Sequence, residues 1–482
     1  MSNKNKHYDV VVIGAGPAGI ATAIRSAQLG LKTACIDVWS HKKSQHKLSK
    51  AHLNTGGLAA MCLLESAKIY HQLNSTIAQH GIYAENISVD IKSMVHRKDK
   101  IIEKISRNWS ALFAELNIDN IEAKVQLLND RKIEITTYDA QLKSIIEAKH
   151  IILATGSIPI SLPCIPIDNK YIIDTIAALN LEAIPKKLAI IGAGVAGLEL
   201  ASIWNRLGSE TILLEAQENF LSLVDQQVSC EAFRIFQHQG FDLRLGARVI
   251  SAKKNLSNKV SIEYQDQDGV HILVVDKLIV ACGRKPDTGD LAAPEANLLL
   301  DDNGYVYVDD KNRTNLPGVY AIGDLTLIGP AVSHKGIEEG LLVAQGVAGA
   351  HKSLDHHTIP CVVYTEPEMA WVGHNEQVLR ASGENIKVCV HSLNTNNRAL
   401  AMGKNEGIVK IIANAGTDKI LGVHIICTQA SELIAEAVLA MEFGASTEDL
   451  LSTIHASMTL SEALHEAVLI PPEKTSHLSL HQ

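Results

Sequence analysis

The chain has 482 residues, 46% hydrophobic and 20% charged, with 32 glycines and 13 prolines. That composition excludes a disordered, collagenous or membrane-embedded protein and suits roughly two to four packed domains. Lysine and arginine total 44 against 53 acidic residues, a formal charge of -9, and without a basic block nucleic-acid binding has no electrostatic footing.

The opening, MSNKNKHYDVVVIGAG, runs from polar residues straight into a short apolar strand. With no signal-peptide core and no apolar run of spanning length, the chain reads as cytoplasmic. Residues 8–14, YDVVVIG, have the continuous apolar character of a strand buried on both faces. Residues 20–29 read as a helix stopped by Gly30, and LKTACID as a second strand ending at Asp37. Between them GAGPAG sets Gly14, Gly16 and Gly19 at the strand-to-helix turn. Gly14 permits the tight turn, Gly16 lets a pyrophosphate approach the backbone, and the helix N-terminus offers unpaired N–H groups and a positive dipole end. Asp37 is placed to accept hydrogen bonds from a ribose. A glycine-rich turn without a ligand is the plainer alternative, but strand, helix and acid together favour a dinucleotide.

The pattern recurs in KKLAIIGAGVAGLELASIWNRLGSETILLE, with Gly192, Gly194 and Gly197 at the turn and Glu215 closing the next strand. Two such units imply two dinucleotide sites. A carboxylate at Glu215 repels a 2′-phosphate, so NAD is preferred over NADP, with Arg206 as the nearby cation able to reverse that preference. Two further apolar strands end in small-residue turns, KHIILATGS over 149–157 and VYAIGDL over 319–325, the latter carrying Asp324. Prolines punctuate the chain at 185, 286 and 360, and residues 421–444 pass from strand-like to helical periods, as in an α+β domain. No internal repeat beyond the two glycine-rich units is visible.

The eight cysteines stand at 35, 62, 164, 230, 282, 361, 389 and 427. No CxxC, CxxxxC or zinc-ligand spacing occurs, so no metal site is expected. Cys282 reads as packing at a strand end, with Arg284 beside it. Lys42, Lys43, Lys47 and Lys50, with His41 and His46, read as a solvated basic loop.

These motifs, with GPAVSHKGIEEG, VVYTEPEMAWVG, RALAMGKNEGIVK, LGVHII, ASELIAEAVLAMEFGAS and TLSEALHEA, resemble the pyridine nucleotide–disulfide oxidoreductases over nearly the whole chain, and within them most closely the dihydrolipoyl dehydrogenases. The resemblance implies an α/β fold of two Rossmann-like dinucleotide-binding domains, for FAD and NAD, plus a C-terminal α+β dimerisation domain. Its boundaries here are 1–148 for the first FAD segment, 149–281 for NAD, 282–350 for the second FAD or central segment and 351–482 for the interface. By the same resemblance Gly14, Gly16, Gly19, Asp37, Thr155, Gly156, Gly323 and Asp324 serve FAD. Gly192, Gly194, Gly197, Glu199, Glu215 and Gly283 serve NAD.

The resemblance breaks at the reaction centre. The family pattern GGTCLNVGCIPSKALL meets SKAHLNTGGLAAMCLL, and alignment on Leu53, Asn54, Gly56, Leu63 and Leu64 puts His52 and Gly57 where the two cysteines belong. It also puts Met61 in place of the lysine that pairs with the acid equivalent to Glu199. Cys62 is one residue, about 100° of helix, further on, and reads as a small buried hydrophobe. In the family pattern HAHPTLSEA the catalytic histidine falls on Ser457, which leaves Glu462 without its partner; His455 matches the first histidine, not the base. Met458 replaces a proline whose preceding bond is cis in the family, and because a non-proline cis bond costs about 2.5–4 kcal/mol, a trans bond is expected.

The expected function is that of a flavoenzyme passing hydride from NADH through FAD to an unidentified non-disulfide acceptor, with lipoamide turnover absent or very low. His52 reads either as a new acid or base or as a residue filling cysteine space. Two alternatives stand beside it. One is a non-catalytic FAD/NAD-binding homodimer, a regulatory or structural partner of a 2-oxoacid dehydrogenase complex. The other is a transhydrogenase-like activity. A small substrate occupying the room at Gly57 and Ser457 is a further variant of the enzymatic reading.

Overall fold

The computed structural model describes residues 6–37, 56–129, 131–137, 143–350 and 353–469. They fall into two compact units, each assembled from separated stretches of chain: Met1–Ala59, His96–Ile160 and Arg284–His356 in one, Ala60–Val95, Ser161–Gly283 and His357–Gln482 in the other.

The first unit is built on strand Lys6–Ile13, which pairs in parallel with Thr33–Asp37 on one side and Lys143–Leu153 on the other. Val319–Ala321 extends the sheet in parallel beyond Lys143–Leu153, and Asp119–Leu127 and Lys132–Thr137 complete it. Successive strand side chains point to opposite faces, and both faces are covered. Val11, Ile13, Ala34, Ile36, Ile151 and Leu153 fill one cluster, while Val10, Val12, Cys35 and Ile152 fill the other. This two-sided burial is why the strand reads as an unbroken apolar run.

Helix Pro17–Gln28 starts earlier than its apolar period suggested, with Pro17 in the first turn, where a missing N–H costs nothing. It buries Gly19, Ile20, Ala23 and Ser26 on one stripe. It packs against helix Ser333–Val347 at such close range that a Cβ on Gly336 would meet the Ala18 side chain at 3.0 Å.

In the second unit a five-stranded parallel sheet has the order Asp242–Arg244, Glu210–Leu214, Lys187–Ile191, Lys277–Val280, Ile172–Asp174. An antiparallel three-stranded sheet, Arg248–Lys254, Val260–Asp266 and Gly269–Val275, shares its core. The C-terminal stretch forms a five-stranded antiparallel sheet whose centre is Ile420–Cys427, packed against helices Ala430–Glu442 and Glu462–Leu469. Buried Lys410 joins it to the parallel-sheet region through Asp225 at 2.8 Å, and also pairs with Glu376 of the C-terminal stretch at 2.6 Å. Among the described residues no helix is long and apolar enough to cross a membrane.

Candidate functional site

The two glycine-rich turns are nearly the same object built twice. In the first, the Gly14 N–H donates to Ile36 O at 2.8 Å and the Ala154 N–H to Ile13 O at 2.8 Å. In the second, Gly192 donates to Leu214 O and Ala281 to Ile191 O, both at 2.9 Å. Gly14 has φ +108° and Gly192 φ +97°, values side chains avoid, and a Cβ there would stand 2.3 Å from Ala154 O and 2.5 Å from Ala281 O respectively. Gly19 and Gly197 carry the helix past the turn: a Cβ on either would lie 1.9 or 2.0 Å from the carbonyl of Gly14 or Gly192. Gly16 and Gly194 occupy the N-cap positions of helices Pro17–Gln28 and Val195–Arg206, and no side chain caps either one. A Cβ on Gly194 would meet nothing within 4 Å. Each turn thus leaves helix N–H groups uncapped, and beside Gly194 there is open room, which fits a nucleotide diphosphate.

The acids differ. Asp37 is half-buried at the end of its strand. Glu215 accepts from the Ala193 N–H at 2.8 Å with one oxygen and from the Gln217 N–H at 2.9 Å with the other, so it braces the turn while retaining lone pairs for a ribose. Arg206, expected as an alternative cation, is buried, and its guanidinium donates to Glu366 O at 3.1 Å.

The turn that carries Asp324 is held by residues that sequence reasoning passed over. Buried Glu339 accepts the Gly323 N–H at 2.7 Å, and buried Lys335 donates to Gly323 O at 3.1 Å and Thr326 Oγ1 at 3.2 Å. One residue, Gly323, is gripped at both its N–H and its C=O. The signal was available as a lysine and a glutamate four residues apart on helix Ser333–Val347. Asp324 itself accepts from Ser157 Oγ at 2.6 Å, whose oxygen accepts from Arg284 Nε at 2.7 Å. Thr155 is buried with its hydroxyl on Asp287 O at 2.7 Å, and Gly156, at φ +75°, accepts the Asp287 N–H at 2.9 Å. Gly283 also lies in the left-handed region, at φ +108°. Cys282 packs at its strand end as expected, its thiol 3.8 Å from Ile191 O.

His52 and the basic loop around Lys42, Lys43, Lys47 and Lys50 lie outside the described residues. Gly57 opens helix Gly57–His71, exposed, with nothing within 4 Å of a Cβ added there. Met61 is half-buried and Cys62 buried. Glu199 is 9% exposed and accepts the Tyr364 N–H at 3.1 Å. Burial pushes its carboxyl up to about 7, partly offset by that amide, and among the described residues no cation acts on it.

Ser457 is exposed. The cis peptide among the described residues is Glu366–Pro367, so the bond before Met458 is trans, and Met458 adopts φ +61° instead. Glu462 accepts the Thr459 N–H at 3.1 Å. His455 is tied to Glu436 at 2.5 Å and to Thr453 O at 3.0 Å. Met458 and Ser461 border a cavity of about 370 Å³ that Arg398 and Glu432 also line.

The sequence profile described as "Pyridine nucleotide-disulphide oxidoreductase" matches residues 8–356, and the dimerisation-domain profile of the same family matches 359–468. A dihydrolipoyl dehydrogenase of Cupriavidus necator is 40% identical over 468 residues, 96% of this chain and 98% of the relative. A leghemoglobin reductase of Vigna unguiculata is 37% identical over 98% of this chain and 89% of its own length. The crystal structure of LpdA from Mycobacterium tuberculosis shares the fold with a TM-score of 0.86 at 23% identity, covering 96% of this chain and 99% of that one.

Proposed function

The chain belongs to the pyridine nucleotide–disulphide oxidoreductases, FAD-dependent enzymes that use NAD(P)H, and we propose that it takes electrons from NADH and delivers them through FAD to an acceptor that is not a disulfide. Bound flavin supplies the two-electron chemistry, accepting hydride and giving electrons up again. The chain's own residues do the holding. The turn at Gly14, Gly16 and Gly19 sets the uncapped N-terminus of helix Pro17–Gln28 against the flavin nucleotide's diphosphate, with Asp37 on its ribose and Asp324 fixed by the Lys335–Glu339 grip. Gly192, Gly194 and Gly197 do the same for NADH, and Glu215 accepts from the 2′-hydroxyl. Buried Arg206 is turned to Glu366 O and does not serve a 2′-phosphate. In this reading residues 1–148 and 282–350 serve the flavin, 149–281 NADH and 351–482 a homodimer.

The observation that carries the non-disulfide acceptor is the absence of a thiol where helix Gly57–His71 begins. Gly57 stands there with open space, the nearest cysteine, Cys62, is buried, and no CxxxxC pair exists in the chain. Dithiol exchange needs an accessible thiolate and a base, and Ser457 supplies none. Glu199, with no cation among the described residues acting on it, holds a proton below about pH 7. A relative named as a leghemoglobin reductase supports an acceptor other than lipoamide.

Anaerobic titration of the purified flavoprotein with NADH, followed by lipoamide, a quinone or oxygen in separate samples, tests this. Bleaching reversed by quinone or oxygen but not by lipoamide is expected. Rapid reoxidation by lipoamide would overturn the reading. A flavin indifferent to NADH would favour a non-catalytic nucleotide-binding partner of a 2-oxoacid dehydrogenase complex.

A further inference from the structure

Two cysteines outside the altered helix stand on neighbouring stretches of the second unit. The antiparallel register Arg284↔Pro159 runs one chain segment back along the other, and Cys282 and Ser161 each lie two residues beyond that pair. From there the chain curls into a turn closed by the Ile165 N–H on Leu162 O at 2.9 Å, with Pro163 and Cys164 at its corner. Ile165 is buried in the cluster that also holds Ile191 and Val280, and both Leu162 and Cys282 pack against that cluster. Cys164 is exposed, while Cys282 is half-buried. Cys282 also abuts the second glycine-rich turn: a Cβ on Gly192 would lie 3.6 Å from its Cα.

We propose that Cys164 and Cys282 form a thiol–disulfide switch at the rim of the second glycine-rich turn, operated by low-molecular-weight disulfides of the glutathione class. Exposed Cys164 attacks first. Its thiolate bonds one sulfur of the external disulfide, the S–S bond breaks, and one thiol leaves. Cys282 then gives up its proton and attacks the Cys164 sulfur, and the second thiol leaves with that proton. Two protein thiols are oxidised to one disulfide, and one external disulfide is reduced to two thiols.

The second step is slow at neutral pH. Burial first, and then the Glu215 carboxylate, push the Cys282 thiol up, to about 11 while Cys164 is still free. The bridge requires Cα atoms within about 7 Å, so closing it draws the 162–165 turn onto Cys282 and stiffens the chain beside Gly192 and Gly283. Weaker NADH binding follows, a consequence that rests on the second turn being the NADH site. The bridge itself does not depend on that reading.

The test uses the full-length flavoprotein incubated with oxidised glutathione at about pH 8.5, where the thiolate fraction is larger. Peptide mapping under non-reducing conditions is expected to yield a Cys164–Cys282 cross-link, lost in Cys164→Ser and in Cys282→Ser. In the wild type the NADH concentration needed to bleach the flavin should rise roughly tenfold or more and return with dithiothreitol, whereas both serine variants should not respond. A glutathione adduct on Cys164 with no cross-link after prolonged incubation would overturn the proposal, as would a cross-linked protein bleached by NADH as before. If reduced protein is not bleached by NADH at all, the nucleotide reading has failed, and the peptide map still decides the bridge.

Discussion

The two glycine-rich turns and the two altered segments are held in place by different means. At Gly14, Gly19, Gly192 and Gly197 any added Cβ would collide with backbone at 1.9–2.5 Å, so these positions are dictated by chain crossing chain. At Gly57 nothing approaches within 4 Å, and Ser457 is exposed. A position defined by close backbone packing cannot change without loss of the fold. A position with open space around it carries no such packing constraint.

The difference is sharpest where charge is buried. Lys335→Met leaves Glu339 in the core without its ammonium partner while the Gly323 turn loses one grip, a loss of about 3–5 kcal/mol, seen as a lower thermal midpoint and released flavin. Retention of both would show that the first unit is less tightly determined than its packing suggests.

Glu199 probes the altered side. Its pKa of about 7 lies above the 4.5 of a free carboxyl. The stability tied to its neutral form is therefore complete below about pH 4.5 and is lost as pH rises through 7, about 3 kcal/mol in all. Glu199→Gln should match the wild type near pH 4.5 and unfold at a higher temperature near pH 8. Equal midpoints at both would mean that a cation does reach this carboxyl.

Within the second turn, Gly197→Ala should cost about 1–3 kcal/mol by overpacking. Gly194→Ala should fold normally and bind NADH roughly tenfold more weakly, measured by flavin bleaching. Unchanged NADH binding in Gly194→Ala would remove this turn from the nucleotide site. The smallest effect is expected at Cys62→Ala, about 1 kcal/mol of stability with bleaching by NADH intact. Loss of bleaching there would give Cys62 a part in the chemistry and blur the contrast.

Much of the frame was legible because local rules and tertiary packing agree. The run YDVVVIG reads as a doubly covered strand because Val10 and Val12 face one core and Val11 and Ile13 the other. Helix Pro17–Gln28 was placed three residues late at its start because the apolar period begins at Ile20, whereas the backbone turns helical as soon as Gly16 has served as its N-cap. The partner of Arg206 was not legible because its distance along the chain from Glu215 says nothing about Glu366, 160 positions away, whose carbonyl it serves.

The sequence by itself determined the two nucleotide-type turns, the missing cysteine spacing and the family, since each depends on residues adjacent in the chain or on the identity of single positions. The tertiary structure decided what buried polar groups do. The grip of Lys335 and Glu339 on Gly323, the isolation of Glu199 and the tie of His455 to Glu436 each join residues whose meeting depends on how helices and strands pack. In a low-dielectric interior a carboxyl's charge follows from which partners surround it there, and sequence spacing alone does not name those partners.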